Sequence, residues 1–199
     1  MKKLLLATNN YGKVEEMRAI LTHLNLQLLT PSEIGLDLQV SEDGSTYAEN
    51  AILKAVAFAK ASGLTSLADD SGLEVDALDG LPGVFSHRFA PWPEATDADR
   101  RNYLLKMLQG KERPWLACFH ATVALVHPDG DVQLASGECP GEITPDERGT
   151  NGFGYDPIFL IPAFGRSMAE LDMQEKNRVS HRANALRNAE AILSKMMDS

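Results

Sequence analysis

Two carboxylates stand side by side in Asp69-Asp70-Ser71-Gly72, directly after the apolar pair Leu67-Ala68. Adjacent acids repel unless a cation or a proton lies between them, so the pair marks a place to hold a divalent ion or activate a water. Oxygen-only donors suit Mg²⁺, with Mn²⁺ as the other candidate, ahead of Zn²⁺. Neighbouring side chains of a strand point to opposite faces. Both acids therefore reach one site only if the chain bends, and Gly72 would ease a bend. A solvated turn is the alternative, because Asp, Ser and Gly are turn residues. Glu42, in the acidic loop Ser41-Glu42-Asp43-Gly44, could give the same cation a second oxygen; taken alone it reads as solvated charge.

Three further segments carry polar chemistry. Ala7-Thr8-Asn9-Asn10-Tyr11-Gly12-Lys13 joins a strand to a helix. Backbone N–H groups and the helix dipole there favour a phosphate, and Lys13 adds a mobile positive charge. It is not a P-loop: Ala7 stands at the first glycine and Val14 at the magnesium-binding hydroxyl. The alternative is a turn with a solvated lysine. In Gly149-Thr150-Asn151-Gly152-Phe153-Gly154-Tyr155-Asp156-Pro157 the glycines miss the dinucleotide fingerprint. Phe153 between two glycines is poorly covered, which suits a stacked base, and Asp156 could accept from a ring N–H. The alternative folds Phe153 into the core. Glu175-Lys176-Asn177-Arg178-Val179-Ser180-His181-Arg182 brings four potentially cationic side chains to the start of the last helix. Anion or base recognition and a solvated surface are equal readings of it. His23, His87, His120 and His127 form no metal-ligand spacing.

The elements that must position these residues follow from periodicity. Lys3–Ala7 reads as a strand buried on both sides, and Val14, Met17, Ile20, Leu21 and Leu24 recur at helical spacing. Leu26–Leu29 is a short strand, and 30–44 a loop. Thr46 with Glu49 is a capping box opening a helix that stops at Gly63. Ser66–Ala68 is a buried strand that the acidic pair interrupts, and Leu73, Val75 and Ala77 alternate as a second, half-buried strand. Thr96 caps a helix with Asp97 and Asp99 in its first turn. Trp115–His127 and Asp131–Glu138 flank Pro128-Asp129-Gly130, a hairpin. Phe153–Ile161 is strand-like, and Ser167 with Glu170 opens a short helix. Ser180 opens the last helix, whose stripe is Ala183, Leu186, Ala189, Ile192, Leu193 and Met196. The sum is an α/β protein with a mixed sheet.

The chain has 199 residues and a formal net charge of −9. That length fits one domain, or one domain with two lobes. The acidic balance argues against a sequence-independent grip on nucleic acid, but admits a small anion screened by local Lys, Arg or a divalent cation. No apolar run approaches the roughly 18 residues of a membrane span. The opening MKKLLLATNN has too short an apolar stretch for a signal peptide, so a cytoplasmic location is expected. Cys118 and Cys139 lie far apart without a C-x-x-C pattern, so buried free thiols are expected, not a disulfide framework or a structural zinc site.

Six segments in order, ATNNYGK, ENAILKA, ADDSGLEVDAL, GLPGVFSHR, GFGYDPIF and EKNRVSHR, resemble the inosine/xanthosine triphosphate pyrophosphatases over nearly the whole chain. The resemblance implies an elongated, two-lobed α/β fold around a long mixed sheet, formed by residues 1–199 as one domain with the active site in the cleft, and a homodimer. It implies hydrolysis of ITP, dITP and XTP between the α- and β-phosphates, removing them before a polymerase uses them. By motif, Thr8, Asn9, Asn10, Tyr11, Gly12 and Lys13 would bind the triphosphate, and Lys54 and Lys176 would lie near phosphate or sugar. Glu42 and Asp70 would hold Mg²⁺, Ser71 would touch the nucleotide, and Asp70 would be the proton acceptor with Asp69 beside it. Phe153, Gly154, Tyr155 and Asp156 with His181 and Arg182 would form the base pocket. Asn9 stands where many members have Gly, and His87 where a small residue is frequent, which bears on substrate preference. The rival readings are a pyrimidine (dTTP or UTP) pyrophosphatase of a related fold and a nucleotide-binding sensor without turnover. A nucleic-acid or membrane partner is not expected.

Overall fold

The computed structural model describes residues 2–198, with side chains through Lys195. Met196, expected on the last helix's core stripe, lies outside the described side chains. Seven strands form one mixed sheet in the order β2-β1-β3-β4-β5-β6-β7. β1 (Lys2–Leu6) pairs in parallel with β2 (Leu26–Leu29) and with β3 (Ser66–Val75). β5 (Val132–Ile143), β6 (Phe159–Ile161) and β7 (Arg166–Ser167) pair antiparallel. β4 (Trp115–Val126) is joined to β5 by the expected turn, where Gly130 N donates to His127 O at 2.9 Å. β5 runs on past Glu138 to Ile143, further than expected, because every second residue from Gly137 to Ile143 is buried. The 153–161 segment yields only β6; a 3₁₀ turn at Asp156–Ile158 takes its middle.

The chain divides into two units. The first comprises 1–70, 121–137 and 181–199; the second comprises 71–120 and 138–180. In the first, α1 (Tyr11–Ile20) and α5 (His181–Asp198) cover one face of the sheet. Val14, Met17, Ala185, Leu186, Ala189 and Leu193 pack there on Leu4, Leu6, Leu67, Val123 and Leu125. On the other face α2 (Tyr47–Ser62) sets Ala51, Ala55, Phe58 and Ala59 against Leu5, Ala7, Ala68 and Ala124. Small residues on α2 bring its backbone close to the strands. Gly137 does the same for α5: a Cβ there would lie 2.2 Å from Ala185 N, inside any permitted contact. Thr46 caps α2 through its bond from Glu49 N, and Gly63 closes the helix at φ 67°.

The second unit has its own core, in which Leu73, Val75, Leu104, Leu108, Phe119, Ile143, Phe159 and Met168 are buried together. Thr96 caps α3 (Asp97–Leu108) as expected and forms a capping box with Asp99. The lysine- and arginine-rich stretch 175–182 does not lie at the start of one helix. Asp172 caps a separate α4 (Met173–Val179), and extended Ser180 parts it from α5.

Candidate active site

β3 is one continuous strand of ten residues through the acidic pair, where an interruption and a bend were expected. Its burial pattern explains why: eight of the ten residues are buried, so packing on both faces holds the extended path. The alternation of an unbroken strand therefore governs the two acids and separates them. Asp69 turns toward Arg182 and Lys13, and Asp70 toward Asn50 and Lys54.

Asp69 is 1% exposed. Its Oδ2 accepts from Arg182 Nε at 3.0 Å, and its Oδ1 lies 3.2 Å from Lys13 Nζ. Burial alone would raise its pKa, but the charges of Arg182, Lys13 and Lys54 outweigh burial and hold the carboxyl well below the usual range. It is a permanent anion. Arg182 is itself buried and also pairs with buried Glu16 of α1. Burial works against its charge, and Asp69 and Glu16 together hold it protonated. Arg182, expected in a base pocket, ties α5 to β3 and α1 inside the first unit through a guanidinium that Asp69 and Glu16 flank.

Asp70 shifts in the opposite direction. Burial, its largest influence, pushes its pKa above the usual carboxylate value, with Lys54 and Lys13 opposing. Its Oδ2 accepts from Asn50 Nδ2 at 3.0 Å, and Lys54 Nζ stands 3.7 Å from its Oδ1. The same ammonium lies 3.1 Å from Glu42 Oε1 and donates to Asp69 O at 2.7 Å. Glu42 and Asp70 thus gather around one positive charge, the Lys54 ammonium. All the charged acceptors here are oxygens, a donor set that fits a hard divalent ion such as Mg²⁺.

The Thr8–Lys13 turn opens α1 as expected. Asn10 is the N-cap: its side chain accepts from Lys13 N at 3.1 Å, and its own N–H bonds Thr8 Oγ1 at 3.1 Å. Asn9, Asn10 and Tyr11 are exposed, and Gly12 and Lys13 half-buried. Burial lowers the pKa of Lys13 and Asp69 works to restore it, so the ammonium is aimed by a fixed anion.

In the second unit the Gly152–Asp156 loop is braced from beneath. Asp156 is buried; its Oδ2 accepts from Phe153 N at 3.0 Å and pairs with Lys176 Nζ at 2.5 Å. The expected acceptor for a ring N–H therefore spends that oxygen on the loop. Lys176 Nζ lies 5.0 Å from the Phe153 ring centroid, close enough for a cation–π contact. Phe153 is half-buried, neither the free platform nor the core residue of the two sequence readings. Tyr155 is buried, and its hydroxyl donates to Ser86 O at 2.9 Å, which makes it an anchor. His181 is buried and Ser71 half-buried. Gly154 N donates to Asp97 Oδ2 at 2.7 Å, and Arg101 donates to Gly154 O at 2.9 Å.

Gly152 makes this loop conformation accessible. Its φ is 74°, and a Cβ there would fall 2.0 Å from Asp156 Oδ2. Gly152→Ala is expected to cost at least about 1–2 kcal/mol from the left-handed backbone alone. Displacing the Asp156–Lys176 pair should add to that loss, read as a lower urea midpoint, and an unchanged midpoint would show that the loop adapts to the added methyl.

Asn50, Glu16, Asp97 and Arg101 were missed in the sequence reading. Asn50 lay inside a recognised segment, one position past the capping box. Glu16 carried a faint signal, a charged residue between the core-facing Val14 and Met17. Asp97 read as a helix-dipole residue, and nothing local links it or Arg101 to a loop more than fifty positions away.

A buried carboxylate with a raised pKa, an ionised partner beside two lysines and a capped strand–helix turn stand together in an α/β protein, a candidate centre for an anion and a cation. The profile of the Ham1 family matches residues 4–192, and the chain belongs to that family. It is 45% identical over 195 residues to the dITP/XTP pyrophosphatase of Desulforamulus reducens, covering 98% of this chain and 96% of the relative. It is 47% identical over 188 residues to the dITP/XTP pyrophosphatase of Thermus thermophilus, covering 93% and 88%. A HAM1 protein structure from Coxiella burnetii superposes with a TM-score of 0.88 at 42% identity, covering 98% of this chain and all of that one. The family resemblance and the mixed α/β sheet expected from the sequence are both borne out.

Proposed function

We infer that the chain is a nucleoside triphosphate pyrophosphatase that converts ITP, dITP and XTP to the monophosphate and pyrophosphate. The observation that carries this is Asp70, a carboxylate kept from full stabilisation by burial, held by Asn50 and set beside Lys54 and Glu42. Relatives at 45% and 47% identity named dITP/XTP pyrophosphatase support the substrate class. Residues 1–199 act as one catalytic domain. The protein works in the cytoplasm as a homodimer. No helix among the described residues is long and apolar enough to cross a membrane.

Glu42 and Asp70 would hold Mg²⁺, which when bound offsets charge on the triphosphate. Lys13 and Lys54 pair with phosphate oxygens, and the N–H groups at the start of α1 add donors. Asp70 takes the proton of the attacking water, a task for which a raised carboxylate pKa is suited. Asp69 stays ionised and keeps Lys13 in place. Hypoxanthine and xanthine carry a 6-oxo acceptor, so donors facing position 6 favour them over adenine's amino group. Each mismatched buried polar contact costs about 1–3 kcal/mol. Guanine shares the 6-oxo group and must be rejected at position 2.

The test is pyrophosphate release from ITP, XTP, dITP, ATP, GTP and dTTP, with Mg²⁺ and then with EDTA. Metal-dependent cleavage of the first three by about a hundredfold over ATP and GTP, two mismatched contacts' worth, is expected. A preference for dTTP would make the chain a pyrimidine enzyme. Tight binding without cleavage of any would make it a sensor.

A further inference from the structure

β4 in the second unit alternates strictly. Trp115, Ala117 and Phe119 enter the core, so Cys118 and His120 emerge together on the opposite face. β3 and β5 flank β4 in the sheet. Between core residues Leu73 and Val75, β3 turns Glu74 outward; next to buried Cys139, β5 turns Glu138 outward. Three neighbouring strands thus deliver a thiol, an imidazole and two carboxylates to one patch.

The ligand atoms of Cys118, His120 and Glu138 all lie within 4.8 Å of one another. His120 Nδ1 is 3.4 Å from Glu138 Oε1, and its Nε2 is 3.4 Å from Glu74 Oε2. A tetrahedral ion with arms of about 2.0–2.3 Å sets its ligand atoms roughly 3.3–3.8 Å apart. The imidazole–carboxylate spacing already meets this, and the sulfur needs only a side-chain adjustment. The second ring nitrogen facing a carboxylate is the arrangement that fixes the tautomer of a metal-bound histidine.

We propose that Cys118, His120 and Glu138 form a binding site for a borderline-soft divalent transition-metal ion of the Zn²⁺ type, with Glu74 orienting the imidazole and a fourth coordination position open. Sulfur and nitrogen donors separate this site from the all-oxygen pair Glu42 and Asp70 in the first unit, with which it shares no residue. Cys118 is half-buried and stands in the negative field of Glu138, Glu74 and Asp76, which a cation would offset. Cys139 cannot stand in for it, being buried with its thiol pushed up to about 12. The sequence reading took both cysteines as buried thiols and found no metal spacing among the histidines. A Cys-x-His pair on one strand face was the available signal, but the carboxylates come from other strands.

The test is titration of the full-length, metal-stripped protein with Zn²⁺ against a chromophoric chelator in excess Mg²⁺, with Co²⁺ as the optical probe. One equivalent per chain and a thiolate-to-cobalt charge-transfer band are expected. Cys118→Ser should abolish the band, and Cys118→Ser and His120→Ala should each weaken Zn²⁺ at least about tenfold. Glu74→Gln should keep the band while weakening the ion by about 10–100-fold. Glu42→Gln should leave Zn²⁺ affinity unchanged. Thermal melting of each metal-free variant checks that it folds. Wild-type affinity in both Cys118→Ser and His120→Ala, or cobalt binding without a thiolate band, would overturn the site.

Discussion

Asp70→Asn is expected to abolish pyrophosphate release while nucleotide binding stays measurable. The amide preserves shape and can still bond Asn50, but it cannot accept a proton or offer an anionic oxygen to the cation. General-base loss alone is worth about 10²–10⁴-fold in kcat. The metal-free protein should melt no lower than wild type, because burial already disfavours the ionised form of this carboxyl. Asp69→Asn should behave in the opposite sense. It removes the permanent anion that holds Arg182 and Lys13, so its main effect is on stability. Steady-state kinetics and melting curves on the pair distinguish the roles; Asp70→Asn activity within tenfold of wild type would remove Asp70 as the base.

The largest stability effect is expected for Arg182→Met. The guanidinium is 1% exposed and lies between Asp69 and Glu16, themselves 1% and 2% exposed. Removing it leaves two buried carboxylates without their main counter-charge, although Lys13 still faces one. Breaking a buried pair by deleting one partner costs about 3–5 kcal/mol. For a chain of this size that corresponds to a melting temperature lower by roughly 6–20 °C. Adding Glu16→Leu to Arg182→Met should recover part of the loss, since one stranded charge goes with it. Urea unfolding of the single and double variants measures this. A single variant melting within about 2 °C of wild type would show that the ion triad is energetically idle.

The local signals of this sequence were faithful and the nonlocal ones were not. Thr46, Gly63 and Thr96 announced helix ends through bonds spanning at most four residues, and the structure keeps all three. Pro128-Asp129-Gly130 announced its turn in the same way. The acidic pair misled because turn-forming residue types outvoted the flanking apolar residues, and only tertiary packing on both faces shows that β3 continues. The pairing of Arg182 was hidden for a related reason. Its cationic neighbours suggested an open surface, yet its partners lie 113 and 166 positions away on β3 and α1. Lys176 and Asp156 were named as binding residues, but their mutual pairing beneath Phe153 depends on α4, whose separate existence rests on the Asp172 cap.

The uninterrupted path of β3 makes the division of labour between the two acids a matter of parity. Which carboxylate meets Arg182 and which meets Lys54 depends only on whether its position along the strand is odd or even. Exchanging a residue within Ser66–Ala68 leaves that count intact, whereas losing or gaining one residue there turns every later side chain to the other face. The permanently charged acid and the proton-accepting acid would then trade surroundings, each among partners suited to the other. Gaining two residues restores the count. The length of this short apolar run, more than the identity of its members, is what this part of the chain must preserve.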